Sequence, residues 1–473
     1  MDVFLTTFKA VIDGLGATVI LPIIIFFLAW LLGAKPGRAF RAGVMVGIAF
    51  IGINLIIGLM WGTLSDVAQA MVTNLGIQRD VVDVGWPSAA AIAFGSKVGL
   101  WVIPIALIIN VILLVARVTK TLNVDVWNFW HFAFVGSLVT ATTGSLTYGI
   151  LASAIAAVLA LFLADWTARG VQHFYSIPGI SIPHLTTAPG VPIAIAVNWV
   201  IDRIPGLRDL DADPETIQQK FGIVGEPVIQ GLVIGLVLGI LGYFNAGDAQ
   251  TVIIKVLQTG MNLAAVMVLL PRMVQILMEG MIPVSEAARD FMHKRASGRD
   301  IYIGLDSAIL IGHPAAISSS LILVPIAILL SIILPGNRVI LFADLAVIPF
   351  VVAMFAPIMR GNILRMIIGG TITLGIGFYI ATGMSSFFTS VAVESGFTMP
   401  AGAAFITSIA DGFLWPPFVF VTAAQWGGII GLIVLLVILA VVMYLYMRDP
   451  EPWELAAGAP EPEGAAEAQP GIA

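Results

Sequence analysis

The feature that most constrains this chain is a series of unbroken apolar runs, each close to the roughly 20 residues that cross a bilayer as a helix. They lie near 16–33, 42–62, 97–115, 126–143, 146–164, 222–244, 251–271, 316–334, 341–358, 363–382 and 426–447. A membrane barrel would instead show strands of about ten residues with alternating polarity, and the sequence has no such pattern. Nor is there polar surface enough for a soluble fold. Charged residues are 11% of the chain, against about 25% in a soluble domain, and mean hydropathy is +1.02. The sequence predicts an all-α polytopic membrane protein with about eleven transmembrane helices.

Several functions are excluded by what the chain lacks. A net charge of −6 gives no basic surface for nucleic acid. The absence of cysteine removes disulfides, thiolate metal sites and a cysteine nucleophile. There is no Walker loop, no H-E-x-x-H metal spacing and no diagnostic Ser/His/Asp order, so no metal or cofactor is expected. Residues Met1–Asp13 carry Asp2, Lys9 and Asp13 rather than a cationic stretch, so a cleaved signal peptide is not expected.

Orientation follows from the cations, which stay on the cytoplasmic side. With the N-terminus outside, 17 of the 22 Lys and Arg fall inside and only Lys9, Arg79, Lys97, Lys255 and Arg338 do not. The expectation is N-terminus out, C-terminus in. The longest cytoplasmic segments are then 202–221 and about 272–304. The second carries Arg289, Lys294, Arg295 and Arg299, either a topogenic anchor or a docking surface for a cytoplasmic partner. The tail after Arg448 is rich in Pro, Ala, Gly and Glu and is expected to be disordered.

Segment 102–113, VIPIALIINVIL, matches 323–334, LVPIAILLSIIL, at an offset of 221. In this topology the two copies run in opposite directions, which is the inverted repeat common in transporters. Four apolar segments are broken by glycine, proline and polar residues: 83–96, 177–199, 304–316 and 400–424. Irregular backbone at membrane depth is tolerated where it lines a cavity, so these segments point to a site near the midplane.

Ionisable residues in such surroundings are costly and mark function. His131 lies in DVWNFWHF, with Asn128 on the same helix face as a possible satisfying partner. His184 and Thr186 lie in IPHLTT, His313 in GHP, Asp306 in GLDSA and Asp411 in ADGF. Asp83 begins DVGWP, where Trp86 offers an apolar face. Carboxylates and imidazoles that exchange hydrogen bonds with hydroxyls, beside an aromatic face for C–H groups, suit an uncharged polyhydroxylated ligand.

The motifs VVDVGWPSAAA (81–91), NVDVWNFWHFAF (123–134), ISIPHLTTA (180–188), KFGIVGEPVIQG (220–231), IYIGLDSAILIGH (301–313) and MRGNILR (359–365) occur in order across both halves. Together they resemble the galactitol-type enzyme IIC permeases of the bacterial phosphotransferase system, in the ascorbate–galactitol superfamily. The resemblance covers about residues 1–447. It implies a homodimer in the bacterial inner membrane, two inverted repeats with re-entrant hairpins, and a core that moves past a V-shaped dimerisation domain in an elevator. It also implies that IIB, fed through enzyme I, HPr and IIA, phosphorylates a sugar or alditol as it is carried inward. The phosphocysteine belongs to IIB, so this chain would not be an enzyme by itself. Carried onto the chain, 1–82 and 201–303 would form the dimerisation domain, 83–200 and 304–425 the core, 426–447 the last helix and 448–473 a disordered tail. Trp86, His131, His184, Thr186, Asp306, His313, Asp411 and Asp83 would serve the substrate. Leu185 stands where a small residue is expected, and the ADGF match is weak; both bear on substrate identity. An ion-coupled transporter using Asp306 or Asp411 would fit the inverted repeat and buried carboxylates equally well.

Overall fold

The computed structural model describes residues 17–76, 79–221, 226–295, 301–341, 343–400 and 403–461. Residues Met1–Asp13, the 222–225 start of one predicted span, Arg299 and 462–473 lie outside them, as do the side chains of Arg289, Lys294 and Arg295.

The chain opens with α1 (Ala17–Leu31) and α2 (Pro36–Leu75). At 1.5 Å per residue the 40 residues of α2 run about 60 Å, roughly twice the hydrocarbon thickness. Strand β1 (Val81–Asp83) leads into α3 (Trp86–Gly95) and α4 (Gly99–Val115), which bend by 89° at their junction. Next come β2 (Thr121–Asn123), a 3₁₀ turn at Val126–Phe129, α5 (Trp130–Thr143), α6 (Leu146–Tyr175), β3 (Ile180–Ser181) and α7 (Val191–Ile201). After α8 (Pro214–Phe221), α9 (Pro227–Tyr243) and the long α10 (Ala249–Arg295) return to α1 and α2.

The second half has β4 (Tyr302–Gly304), α11 (Pro314–Ile333), β5 (Val339–Ile340) and the short α12 (Ile348–Ala353) and α13 (Phe355–Ile358). It continues through α14 (Ile363–Glu394), β6 (Phe405–Thr407), α15 (Trp415–Gly427), α16 (Ile429–Arg448) and α17 (Glu451–Ala456).

The helices α1, α2, α9 and α10 pack on one another through glycine. A Cβ on Gly43 of α2 would lie 2.5 Å from the Pro22 carbonyl oxygen of α1. Along α9, Cβ atoms on Gly231, Gly235 and Gly239 would lie 2.7–2.9 Å from atoms of α10. The Gly-x-x-x-Gly-x-x-x-Gly pattern therefore serves backbone-to-backbone approach.

Two small parallel sheets tie the halves of the chain together. One has the order β5-β1-β6, the other β2-β4-β3. Each half lends its leading strand, β1 or β4, to a sheet otherwise built from the other half. Val81 and Tyr302, which begin these strands, are separated by the same 221 residues as the matching apolar segments. Pro104 and Pro325, related by that offset, both lie inside helices.

The eleven predicted spans are realised unevenly. Among the described residues six helices are long and apolar enough to cross a membrane, seven if the bent α3–α4 pair is one span. The runs near 16–33 and 222–244 form the shorter apolar helices of α1 and α9. The run 126–143 begins as a 3₁₀ turn, and Trp130–Val139 are buried all round within the protein. The run 341–358 breaks at the 3₁₀ turn Leu345–Val347 and into α12 and α13, also buried. These two stretches are apolar because protein surrounds them, which composition does not separate from lipid.

The tail is corrected as far as residue 461. Rather than being disordered, it folds back along α6. Trp166 Nε1 donates to the Trp453 carbonyl at 2.6 Å, and Arg169 pairs with buried Glu454 at 2.9 Å. A Cβ on Gly458, whose φ is +88°, would meet the Pro357 carbonyl carbon at 2.5 Å. The tail thus joins α6 to α13 across the two halves. Its Pro/Ala/Gly-rich composition hid one tryptophan and one buried carboxylate.

Candidate functional site

The β2-β4-β3 sheet builds the site by register. Asn123 and Ser181 both pair with Gly304. Beyond the sheet, Asp125 follows Asn123 by two residues, Asp306 follows Gly304 by two, and His184 follows Ser181 by three. Three strand ends thus deliver three polar side chains to one place. Gly304 permits the convergence: a Cβ there would lie 2.8 Å from the Pro183 ring and 3.0 Å from Asn123 Cα. Asp165 on α6 fixes the approach to β2, accepting from the Thr119 hydroxyl at 2.6 Å, the Thr121 hydroxyl at 2.8 Å and the Lys120 N–H at 3.0 Å.

Asn128 sits at the centre of the cluster. Its side-chain amide donates to Asp125 at 2.8 and 3.0 Å and to Asp306 Oδ2 at 2.8 Å. Its oxygen accepts from the Trp130 indole at 3.3 Å. It does not bond His131, the partner the sequence offered. The other Asp306 oxygen accepts the Ala308 N–H at 2.8 Å, which orients the carboxylate.

The histidines form a directed chain. Thr186 N–H donates to His184 Nδ1 at 3.3 Å, so the His184 proton sits on Nε2. That Nε2 lies 3.4 Å from His131 Nε2 and 3.9 Å from Asp306 Oδ1. His131 Nδ1 donates to Asp411 Oδ2 at 3.0 Å, leaving its Nε2 to accept from His184 and from the Thr186 hydroxyl at 3.4 Å. Asp411 holds its position with φ +61°, a left-handed conformation that aspartate tolerates. Its second oxygen is buried and has no hydrogen-bond partner among the described residues.

A cavity of about 100 Å³ opens against this cluster. His184, Thr186, Asp306 and Asn128 give it a polar wall, while Trp86, Trp130 and Phe350 give it an apolar one. The Trp86 and Trp130 rings stack with centroids 6.5 Å apart, and Trp61 of α2 continues the ladder 6.4 Å beyond Trp86. Helix α2 completes the lining with Phe50, Asn54 and Ile57.

Of the residues predicted from sequence, Trp86, His184, Thr186 and Asp306 line the cavity. His131 and Asp411 stand behind His184. Asp83 does not line it. Its carboxylate accepts the N–H groups of Gly85 at 3.0 Å and Asp344 at 2.7 Å, lacing the β5-β1-β6 sheet. Asp344 in turn accepts from the Trp86 N–H at 2.7 Å, the Ile409 N–H at 2.8 Å and the Ser408 hydroxyl. Asp83 thereby fixes Trp86 at one remove. His313 lies elsewhere, its ring 4.6 Å from that of Phe174 and its Nδ1 capping α11 at Ala315. The sequence reading missed Trp130, Asn54 and the cavity role of Asn128. Trp130 and Asn128 lie in the NVDVWNFWHF motif, where the sequence marks His131 as the site residue and Asn128 only as its partner.

Asp125, His184 and Asp306 each present a ligand atom within 4.8 Å of the others, a spacing one cation could span. The Asn128 amide already bridges the two carboxylates, so the cluster holds together by hydrogen bonding. Chemically the arrangement offers hydrogen-bond donors and acceptors on one wall and flat apolar surface on another, the requirement of a polyhydroxylated solute.

A family model described as "PTS system sugar-specific permease component" matches residues 10–402. The chain belongs to this family of phosphotransferase-system permease components. The galactitol-specific EIIC component of the phosphotransferase system of Escherichia coli strain K12 is 42% identical over 382 residues, covering 81% of this chain and 83% of that protein. The same component of Escherichia coli O157:H7 gives the same figures. A putative permease IIC component of strain K12 is 38% identical over 439 residues, covering 92% of this chain and 98% of that protein.

As a sugar-specific permease component, the chain is a transport subunit of the phosphotransferase system rather than a catalytic enzyme, and it is a multi-pass inner-membrane protein. Its family implies a sugar substrate and a cytoplasmic IIB partner. The cavity-lining residues fall within the matched range except Ala410; Asp411 also lies beyond it.

Proposed function

We propose that this chain carries galactitol or a related alditol across the membrane and presents it to phospho-IIB for phosphorylation. The observation that carries the reading is the cavity itself: Asp306, His184, Thr186 and Asn128 face stacked Trp86 and Trp130 in a chain 42% identical to a galactitol-specific component. Hydroxyls meet the polar wall and C–H faces meet the indoles. Trp86, His184, Thr186 and Asp306 touch the substrate; His131 and Asp411 hold His184 in its tautomer; Asp83 holds the loop that positions Trp86.

Movement is elevator-like in this reading. The core, 83–200 with 304–425, slides past a frame made of α1, α2, α9 and α10, and the frame supplies the homodimer contact. Support comes from the cavity's position between α2 and the core segments, and from the strand exchange at a 221-residue offset, which fits two inverted repeats. The N-terminus faces out and the C-terminus in, as the cation distribution favours.

The test uses membrane vesicles containing the protein, loaded with phosphoenolpyruvate, enzyme I, HPr and the cognate IIA and IIB, and supplied with labelled galactitol. Accumulation of galactitol phosphate that depends on phosphoenolpyruvate supports the proposal. Uptake of unmodified galactitol that collapses with an ionophore contradicts it in favour of ion coupling.

A further inference from the structure

Helix α2 presents a face to the cavity that sequence reading passed over. Phe50, Asn54 and Ile57 follow one another at helical spacing and all line it. Phe50 and Ile57 are buried apolar side chains. Asn54 between them carries an amide near the middle of a 40-residue apolar helix and forms no hydrogen bond with any described residue. Asn54 is exposed on this face, so its amide is open to the cavity, and a polar side chain at membrane depth marks a substrate path. The other polar groups of the lining have already committed much of their bonding: Asn128 to two carboxylates, Asp306 to Asn128 and Ala308, and His184 to Thr186 and His131. The Asn54 amide has its full capacity, two donors and a carbonyl acceptor, which matches a pair of neighbouring hydroxyls.

We propose that Asn54 is a specificity-determining substrate ligand supplied by α2, which reads hydroxyl groups on the face of the alditol turned away from Asp306 and His184. The proposal rests on the alditol reading above and adds a second polar side to the site. Because α2 packs with α1, α9 and α10 rather than with the strands that carry Asp306 and His184, the substrate bridges two separate parts of the fold through this contact.

The experiment measures phosphoenolpyruvate-dependent phosphorylation in vesicles for wild type, Asn54→Leu and Asn54→Ser, with galactitol and its 1-, 2- and 3-deoxy derivatives. Loss of one neutral hydrogen bond corresponds to a rise in KM of up to roughly tenfold. Asn54→Leu should raise KM for galactitol by that order. It should raise KM much less for the deoxy derivative that lacks the hydroxyl Asn54 reads. Asn54→Ser, which puts a smaller hydroxyl in place of the amide and adds no bulk, should fall between and serves as the readout if Asn54→Leu does not insert. An unchanged KM in both variants overturns the inference, as does an equal rise for galactitol and every deoxy derivative, which marks a packing role. A wild-type protein that phosphorylates no alditol would instead overturn the function proposed above.

Discussion

His131 and His184 stand with their Nε2 atoms 3.4 Å apart, and only one of those nitrogens carries a proton. The Thr186 N–H places the His184 proton on Nε2, while Asp411 draws the His131 proton to Nδ1. The cavity-lining His184 thus donates to a second histidine whose own tautomer is set by Asp411, 227 positions beyond His184 in the chain. His184→Ala should abolish uptake while the protein stays in the membrane at its normal level. Uptake and immunoblotting of the membrane fraction check this, and unchanged uptake would remove His184 from the site. His131→Leu should lower uptake by about 10- to 100-fold, the effect of losing a hydrogen bond to a charged or polarised partner.

Trp86 and Trp130 form the apolar wall, held by the Asp344 carboxylate and the Asn128 amide respectively. Trp86→Phe keeps a flat ring and should retain uptake within a few-fold. Trp86→Ala should raise the apparent KM by roughly tenfold or more, since burial of an aromatic face is worth on the order of 1–3 kcal/mol. Equal behaviour of the two variants would argue against stacking.

The tail should contribute to stability rather than trail in solvent. Glu454 is 3% exposed and accepts from Arg169 and from the Tyr446 hydroxyl at 3.0 Å. Glu454→Ala removes the Arg169 ion pair and leaves the Tyr446 hydroxyl only the Asp165 carbonyl at 3.0 Å, and should cost about 1–3 kcal/mol. Thermal unfolding of the purified protein in detergent measures it, and a chain ended after Arg448 should melt lower still.

The close crossing of α5 and α6 sets the height of His131. A Cβ on Gly136 would lie 2.1 Å from Ser153 Oγ and 2.4 Å from the Gly149 carbonyl oxygen. Gly136→Val should force the helices apart at a cost of about 1–3 kcal/mol or more and lower the yield of folded protein. Gly375, which has open space around it, should accept alanine with little change. Size-exclusion profiles of the two variants make the comparison.

The broken segments were the most informative part of the sequence. Glycine and proline at membrane depth marked 83–96, 177–199 and 304–316, and Trp86, His184, Thr186 and Asp306 on them line one cavity. What was hidden has physical reasons. Strands of two or three residues have no period to detect, so the register that brings Asp125, His184 and Asp306 together is invisible without the fold. Asn54 is one polar residue in a run that scores as lipid-facing. Asp83 and His313 have the chemistry of site residues, but their bonds go to backbone amides. Composition placed helices at 126–143 and 341–358 correctly in kind, yet surrounding protein rather than lipid explains their apolarity.

The central claim is that galactitol or a related alditol binds beside Asp306 and His184. The most direct measurement is equilibrium binding of labelled galactitol to the purified protein, wild type beside Asp306→Asn. Asp306→Asn keeps the shape but replaces an acceptor held by Asn128 with an amide facing that amide. Saturable binding to wild type that falls by about tenfold or more in Asp306→Asn is the expected result. Equal binding by the two proteins would place the substrate elsewhere and contradict the account.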